Sequence, residues 1–507
     1  MNKVKTLKLN ILTSVLPWAI LAIVGFVKIR LFINIYGSEL NGFIQLIAQI
    51  YSYISLVELG FGAAITYKLY KPLAEGDKEK IAKLFNGARK TYKKVAIQML
   101  FIGIVTSIVL PFVLKYETLT VKTLIPVFLL YSLDYLLKYI WDLPCRILLY
   151  ADQKRYKANI IVNVATLIIK GVELLLITTK LNYVLILGII IVLNTISYLV
   201  IYMFTKKEYP WISQYKEVDI TAREMSKDVM AHKLSNVVFY GTDSIIISTT
   251  KGLGLAVSSI YGSYNYIITA IKNILGFVLT SPLELLGNKF AKENQDMDKN
   301  YSLYREFVKS TYFIGIVLSA TFFACISNLI EIWISKEYIL DTITILIFSI
   351  YIWYECVSRT NLTMIEANGK YKETKHIEII ASITNIILSL ILVRFWGIKG
   401  VVLATVFSLA VIKQPLQNKY IYNGIFNNKS LKSMGIFLLY TIVFVGICIL
   451  NMLLVNLIGL FNKAAFINWL LSTLLILVID SIICFIPMYF LDKSFKNAVK
   501  RFINKRK

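Results

Sequence analysis

Several function classes are excluded by what this sequence lacks. It has no GxxxxGK[ST] loop, so it does not hydrolyse ATP by the P-loop route. It has no HExxH motif, and its only histidines, His232 and His376, stand at the edges of apolar runs. The five cysteines, Cys145, Cys325, Cys356, Cys448 and Cys484, form no CxxC and no His-spaced pair, and they lie in or at the ends of apolar runs. They read as small packing residues rather than disulfide or metal ligands, and no cofactor is expected. Acidic residues are also scarce, 30 against 55 Lys and Arg, for a net charge of +25. A nucleic-acid binder would gather that excess into a patch or tail, whereas here it is spread over short connections. Those connections run to at most about 30 residues, too short for a soluble catalytic domain.

What remains is apolar. Hydrophobic residues make up 57% of the 507, in recurrent runs of about twenty, each long enough to cross a hydrocarbon core of roughly 30 Å as a helix. The first run follows Lys3, Lys5 and Lys8 as a signal peptide would. It carries Lys28 and Arg30 and no small-residue cleavage site, so it reads as a retained membrane helix. The expected class is all-α, a polytopic membrane protein of about fourteen spans: 9–33, 42–66, 95–114, 123–147, 158–179, 183–204, 232–250, 255–280, 311–330, 340–358, 377–394, 398–414, 433–457 and 466–490. Placing the N-terminus in the cytoplasm puts about 41 of the basic residues on that side and about 8 outside, which sets the orientation with both termini cytoplasmic. The seventh span is the least apolar, because it holds Asp243. Removing it would turn Lys289, Lys292, Lys299, Arg305 and Lys309 outward, against the charge rule.

Two basic segments repeat. YKPLAEGDKEKIAKLFNGARKTY from Tyr70 corresponds to GNKFAKENQDMDKNYSLYREFVKSTY from Gly287, with Ala74 on Ala291, and ADQKRYK from Ala151 corresponds to ANGKYKE from Ala367. The offsets are 217 and 216 residues. Six spans separate the members of each pair, and an even number preserves orientation. This predicts parallel repeats with a substrate site between them near the midplane. The expected organisation is a six-helix lobe over 1–206, a cytoplasmic linker over 207–231, a second six-helix lobe over 232–416, and a helix pair with a basic tail over 417–507.

The stretch YGSELNGFIQLIAQIYSYISLVELGFGAAITYKLYKPLAEGDKEKI, from Tyr36 to Ile81, resembles the start of Wzx-type polysaccharide flippases. These belong to a superfamily with the multidrug and toxin exporters and the lipid II flippases. The ELGFG turn into the basic loop carries the resemblance, and ADQKRYK supports it. It implies a bacterial cytoplasmic-membrane protein that moves an undecaprenyl-pyrophosphate-linked oligosaccharide outward by alternating access. Membrane lipids, a polysaccharide polymerase and the chain-length machinery would be its partners, with no role for nucleic acid.

Ionisable residues within spans are costly in hydrocarbon, so each is a candidate for function. Asp134, Lys138, Asp142 and Arg146 recur every four residues along one helix face, with opposite charges adjacent. This is either a self-neutralising polar stripe, or Lys138 and Arg146 contact pyrophosphate while Asp134 acts as a protonatable switch with Asp243 second to it. Glu355 with Arg359, and Lys170 with Glu173, have the spacing of structural pairs. Lys28, Arg30 and Lys272 have no acid in their own spans, and the resemblance implies cationic groups in the first and eighth. Lys28 and Arg30 point about 200° apart, so one faces a cavity and the other snorkels. Lys272 meets either substrate or a buried acid such as Glu58. A multidrug exporter would concentrate acidic groups instead, and a membrane-embedded polymerase would need an exposed catalytic loop.

Overall fold

The computed structural model describes residues 3–58, 61–220, 234–235, 237–290, 297–368, 371–428, 430–458, 460 and 465–504. His232, Lys292, Lys505 and residues 221–231 of the expected linker lie outside them. The described residues contain helices and no strand. This follows from the solvent, since in hydrocarbon every backbone N–H must find its acceptor within its own segment. The described residues of the fourteen expected spans are largely helical, with 59–60 of the second and 232, 233 and 236 of the seventh outside the description. Nine helices among the described residues are long and apolar enough to cross a membrane, and this is a multi-pass membrane protein.

The chain divides into two compact units, Met1–Gly262 and Ser263–Lys507. In the first, the helices are α1 (Lys3–Tyr36), α2 (Ser38–Ile54), α3 (Phe61–Glu75), α4 (Lys78–Val113), α5 (Val121–Trp141), α6 (Leu143–Ala151), α7 (Arg155–Thr178), α8 (Tyr183–Glu208) and α9 (Asp243–Thr249), followed by the start of α10 (Gly254–Phe290). The second span is not continuous, because α2 tightens into a 3-10 turn over Ser55–Glu58 before α3 begins. The seventh is broken at Thr242, with Asp243 opening α9.

Caps fix several ends. Asp77 accepts from the Lys80 N–H at 3.0 Å to start α4, and Asn182 accepts from the Val184 N–H at 2.9 Å to start α8. The buried Glu39 at the head of α2 collects the N–H groups of Glu117, Thr118 and Leu119 at 2.5, 2.7 and 3.0 Å and the Thr118 hydroxyl at 2.5 Å, which ties down the α4–α5 connection. Burial opposes the Glu39 charge, but these donors outweigh it and hold the carboxyl below the usual range. The same connection pairs with the turn before α10, Lys115 N–H to Ser248 O at 3.2 Å and Leu255 N–H to Lys115 O at 2.9 Å. There α2 comes so close that any Cβ at Gly42 would run into the Leu255 carbonyl. After α8, a strap over residues 215–219 lies along α4. Asn86 donates to Tyr215 O at 2.8 Å, and the Asp219 N–H donates to Lys83 O at 3.0 Å.

The second unit holds the rest of α10, then α11 (Met297–Trp333), α12 (Thr342–Ala367), α13 (Tyr371–Phe407), α14 (Gln414–Lys419), α15 (Ser430–Ile458), α16 (Phe466–Leu491) and α17 (Lys493–Asn504). In α11 the buried side chains run its whole length, so it is the core helix against which α12, α15, α16 and α17 pack. Trp353 of α12 stacks on Phe437 of α15 at 5.8 Å and donates its indole N–H to Thr441 at 3.0 Å. Gly397, at φ 54° and ψ −132°, separates the eleventh and twelfth expected spans within α13. Two π-helical turns, Ser408–Lys413 and Tyr420–Ile425, flank α14. At the end of α16, Asp492 binds Lys309 at 3.0 Å, and Arg501 of α17 binds Glu306 at 3.2 Å. Burial opposes the Asp492 charge, but the Lys309 ammonium holds the carboxyl low.

Candidate functional site

The intramembrane charges form distinct clusters within each unit. In the first, Glu173 of α7 is a hub. Its carboxylate meets Lys28 of α1 at 2.6 Å and Lys170 one turn back at 2.7 Å, with only 3% of its side chain exposed. The Lys170 pair follows from i, i+3 spacing, whereas the Lys28 pair joins two helices. Of the two cations in the first span, Lys28 is turned inward and Arg30 is exposed, as expected from their angular separation.

The fourth span departs from a simple stripe. Its helix breaks at Asp142, between α5 and α6, with Pro144 entering the first turn of α6. Asp142 and Arg146 pair at 2.6 Å. Asp134 and Lys138 do not, because Asp134 turns to α8 and accepts from Asn194 at 3.0 Å and Tyr198 at 3.1 Å. Lys138 lies 5.9 Å from the Tyr135 ring centroid, and among the described residues no carboxylate is within 4.0 Å of it. The stripe is therefore not self-neutralising along its length. Tyr51 stacks on Tyr135 at 4.1 Å and donates to Ser132, which adds an aromatic wall beside Asp134. Asp243, 5% exposed, accepts from the Tyr261 hydroxyl at 2.6 Å. Glu58 takes hydrogen bonds from Tyr92 at 2.8 Å and Tyr139 at 3.5 Å.

In the second unit the hub is Glu355 of α12. Lys272 of α10 lies 3.3 Å from it and donates to the Tyr351 hydroxyl at 3.0 Å, while Arg359 approaches Glu355 at 4.0 Å. The acid balancing Lys272 is thus Glu355 and not Glu58, which is held by Tyr92 and Tyr139, and Glu355 also keeps the spacing partner Arg359. The two hubs share a chemistry: each is one buried carboxylate with two cations within 4.0 Å. An anion can be recruited by such a group without first breaking the pair that holds the fold.

Two further buried groups were not singled out from the sequence. Lys413, in the first π-helical turn, pairs with Glu378 of α13 at 2.9 Å, both side chains at most 6% exposed. Gln417 donates to Glu378 at 3.0 Å, and Asn361 donates to Gln414 at 3.0 Å. π-helical turns recur at functional sites, so this network belongs with the candidates. Asp480, fully buried in α16, is the second. Among the described residues no group of three or more His, Cys, Asp and Glu is placed to hold a metal ion.

At the far end of α4 and α8, under the strap, a cavity of about 340 Å³ is lined by Arg89, Lys206, Lys216, Tyr202 and Asn86 among others. Arg89 and Lys206 each lie 4.9 Å from the Tyr202 ring centroid.

No protein-family profile and no curated protein matches the chain. Solved structures do. A structure titled as the lipid II flippase MurJ in an inward closed conformation aligns with TM-score 0.67 over 94% of this chain and 99% of that one, at 15% identity. An inward-facing multidrug resistance MATE transporter of the MOP superfamily aligns with TM-score 0.61 over 79% and 94%, at 13% identity. An outward-facing MATE transporter aligns with TM-score 0.54 over 86% and 96%, at 12% identity. The chain shares the fold of these structures. At these identities the likeness is one of fold, which a flippase and multidrug transporters share.

Proposed function

We propose that this protein flips an anionic lipid-linked oligosaccharide, an undecaprenyl-pyrophosphate-linked repeat unit, from the inner to the outer face of a bacterial cytoplasmic membrane by alternating access. The observation that carries the reading is the sign of the intramembrane charge: Glu173 and Glu355 each sit between two cations, and Lys138 is a further cation with no carboxylate within 4.0 Å among the described residues. A pyrophosphate and its sugars cannot cross bare hydrocarbon, where each unsatisfied polar group costs several kcal/mol. A polar, cationic path removes that cost while the polyprenyl tail stays in lipid. Lys28, Lys138, Lys272 and Arg146 are the groups assigned to the headgroup, with Arg30 at the interface. Asp134 and Asp243 are assigned to ion coupling. An exporter of organic cations would present carboxylates in excess, whereas here intramembrane acids and bases are roughly balanced and each of the two hubs sets two cations around one carboxylate.

Cells deprived of the protein test this. The lipid-linked repeat unit should accumulate on the cytoplasmic face and clear when the gene is restored. Normal export of the polymer together with accumulation of an organic cation would reject the reading in favour of multidrug export.

A further inference from the structure

Asp480 lies near the middle of α16 and is completely buried. Its Oδ2 accepts from the Thr321 hydroxyl of α11 at 2.9 Å and from the Asn451 amide of α15 at 3.1 Å. Its Oδ1 is buried with no hydrogen-bond partner, and so is the Oδ1 of Asn451, itself completely buried. Two acceptor oxygens in one small cluster therefore lack a donor. Among the described residues no Lys, Arg or His lies within 4.0 Å of the carboxyl. The titratable groups whose charges couple to it are thiols, Cys325 of α11, Cys448 of α15 and Cys484 of its own helix. Each of the other intramembrane clusters brings a carboxylate and a cation together or gives the carboxylate at least one hydroxyl donor from a tyrosine. Among the described residues, the partners of Asp480 are a hydroxyl, an amide and thiols, all neutral.

An ionised carboxylate this deeply buried and without a counter-charge is strongly disfavoured. A proton on Asp480 removes the charge and supplies the missing donor. We propose that Asp480, with Asn451 and Thr321, is a proton-binding site carried by the C-terminal helix pair and that the carboxyl is neutral in this conformation. The pair α15 and α16 then carries a site of its own. Release of the proton requires α15 and α16 to part from α11 far enough to admit water, which makes the site sensitive to conformation. Whether that release accompanies flipping rests on the function proposed above, but the binding itself does not.

The test uses the purified full chain in lipid nanodiscs and dicyclohexylcarbodiimide, an apolar reagent that reacts with protonated carboxyls in membranes. Mass spectrometry of the peptides then locates the adduct. At neutral pH the adduct should appear on Asp480, and its rate should fall about tenfold per pH unit above the midpoint of titration. Sodium at constant pH and ionic strength should not change it. Asp480→Asn should lose this adduct while melting close to the wild type at neutral pH, since one neutral group replaces another. Modification of other intramembrane carboxyls with none on Asp480 between acidic and alkaline pH would overturn the proposal. So would protection of Asp480 by sodium, which would make it a metal-cation site. None of these outcomes depends on what the protein transports, so failure here is separable from failure of the flippase reading.

Discussion

Lys272→Ala probes the second hub, and the structure sets what it does. Lys272 Nζ lies 3.3 Å from Glu355 Oε1, with 15% and 4% of the two side chains exposed. Removing one partner of a buried pair costs about 3–5 kcal/mol, because the surviving charge is stranded. Arg359 offsets part of this, but it is 4.0 Å away with 41% of its side chain in the open, so about 3 kcal/mol is expected. That is a large part of the roughly 5–15 kcal/mol that holds a domain together. Lys272→Ala alone should therefore lower both the yield and the melting temperature in detergent, and its lost transport would be uninformative. The double variant Lys272→Ala with Glu355→Gln removes the stranded charge and should recover most of the melting temperature. If Lys272 engages the pyrophosphate, the double variant should be folded and inactive, with Lys272→Arg retaining part of the activity. A double variant that melts like the wild type and flips at the wild-type rate would refute the role of Lys272. A single variant as stable as the wild type would refute the energetics.

Four more outcomes follow. The depressed Glu39 carboxyl contributes stability that is fully present above the ordinary glutamate value near 4.5 and is lost as pH falls through its lower folded value. The stability gap between the wild type and Glu39→Gln, about 1–3 kcal/mol of lost hydrogen bonding at neutral pH and read as a difference in melting temperature, should therefore close in acid. A gap that widens in acid would contradict the assignment. Gly42→Ala drives a methyl into the Leu255 carbonyl and should cost about 1–3 kcal/mol by thermal unfolding, with an unchanged melting temperature counting against the close approach. In intact cells, single cysteines in place of Lys292 and Lys505 should resist an impermeant thiol reagent in a cysteine-free background, and labelling at either would break the fourteen-span topology. Asp134→Asn should lose any acceleration of flipping by an imposed ion gradient while keeping slow equilibration, since a ligand drives a transition only through differential affinity.

Helix positions were legible because hydrocarbon leaves the backbone few alternatives, so run length and hydropathy suffice. Pairs close in sequence were legible from spacing: Lys170 with Glu173 has the expected geometry, and so does Asp142 with Arg146 even though Asp142 stands at the break before α6. Asp134 with Lys138 did not, because Asn194 and Tyr198 of the neighbouring α8 satisfy the carboxylate first. Spacing along one helix says nothing of what the next helix offers. For the same reason Lys28 with Glu173, Lys272 with Glu355 and Lys413 with Glu378 could not be read in advance, since each joins helices through tertiary packing. The break at Thr242 left a trace in the polar Ser and Thr content of the seventh span. Asp480 left a plainer one, a lone acid inside a run of Leu, Ile and Val. The π-helical turns around α14 left none.

The most direct measurement reconstitutes the purified protein into liposomes that carry a fluorescent undecaprenyl-pyrophosphate-linked oligosaccharide and follows the fraction of headgroup accessible to an impermeant quencher. The account predicts that accessibility equilibrates across the bilayer only when the protein is present, and that flipping fails in the folded Lys272→Ala, Glu355→Gln double variant. Proteoliposomes that leave the lipid-linked sugar in its original leaflet while accumulating a fluorescent organic cation would contradict it.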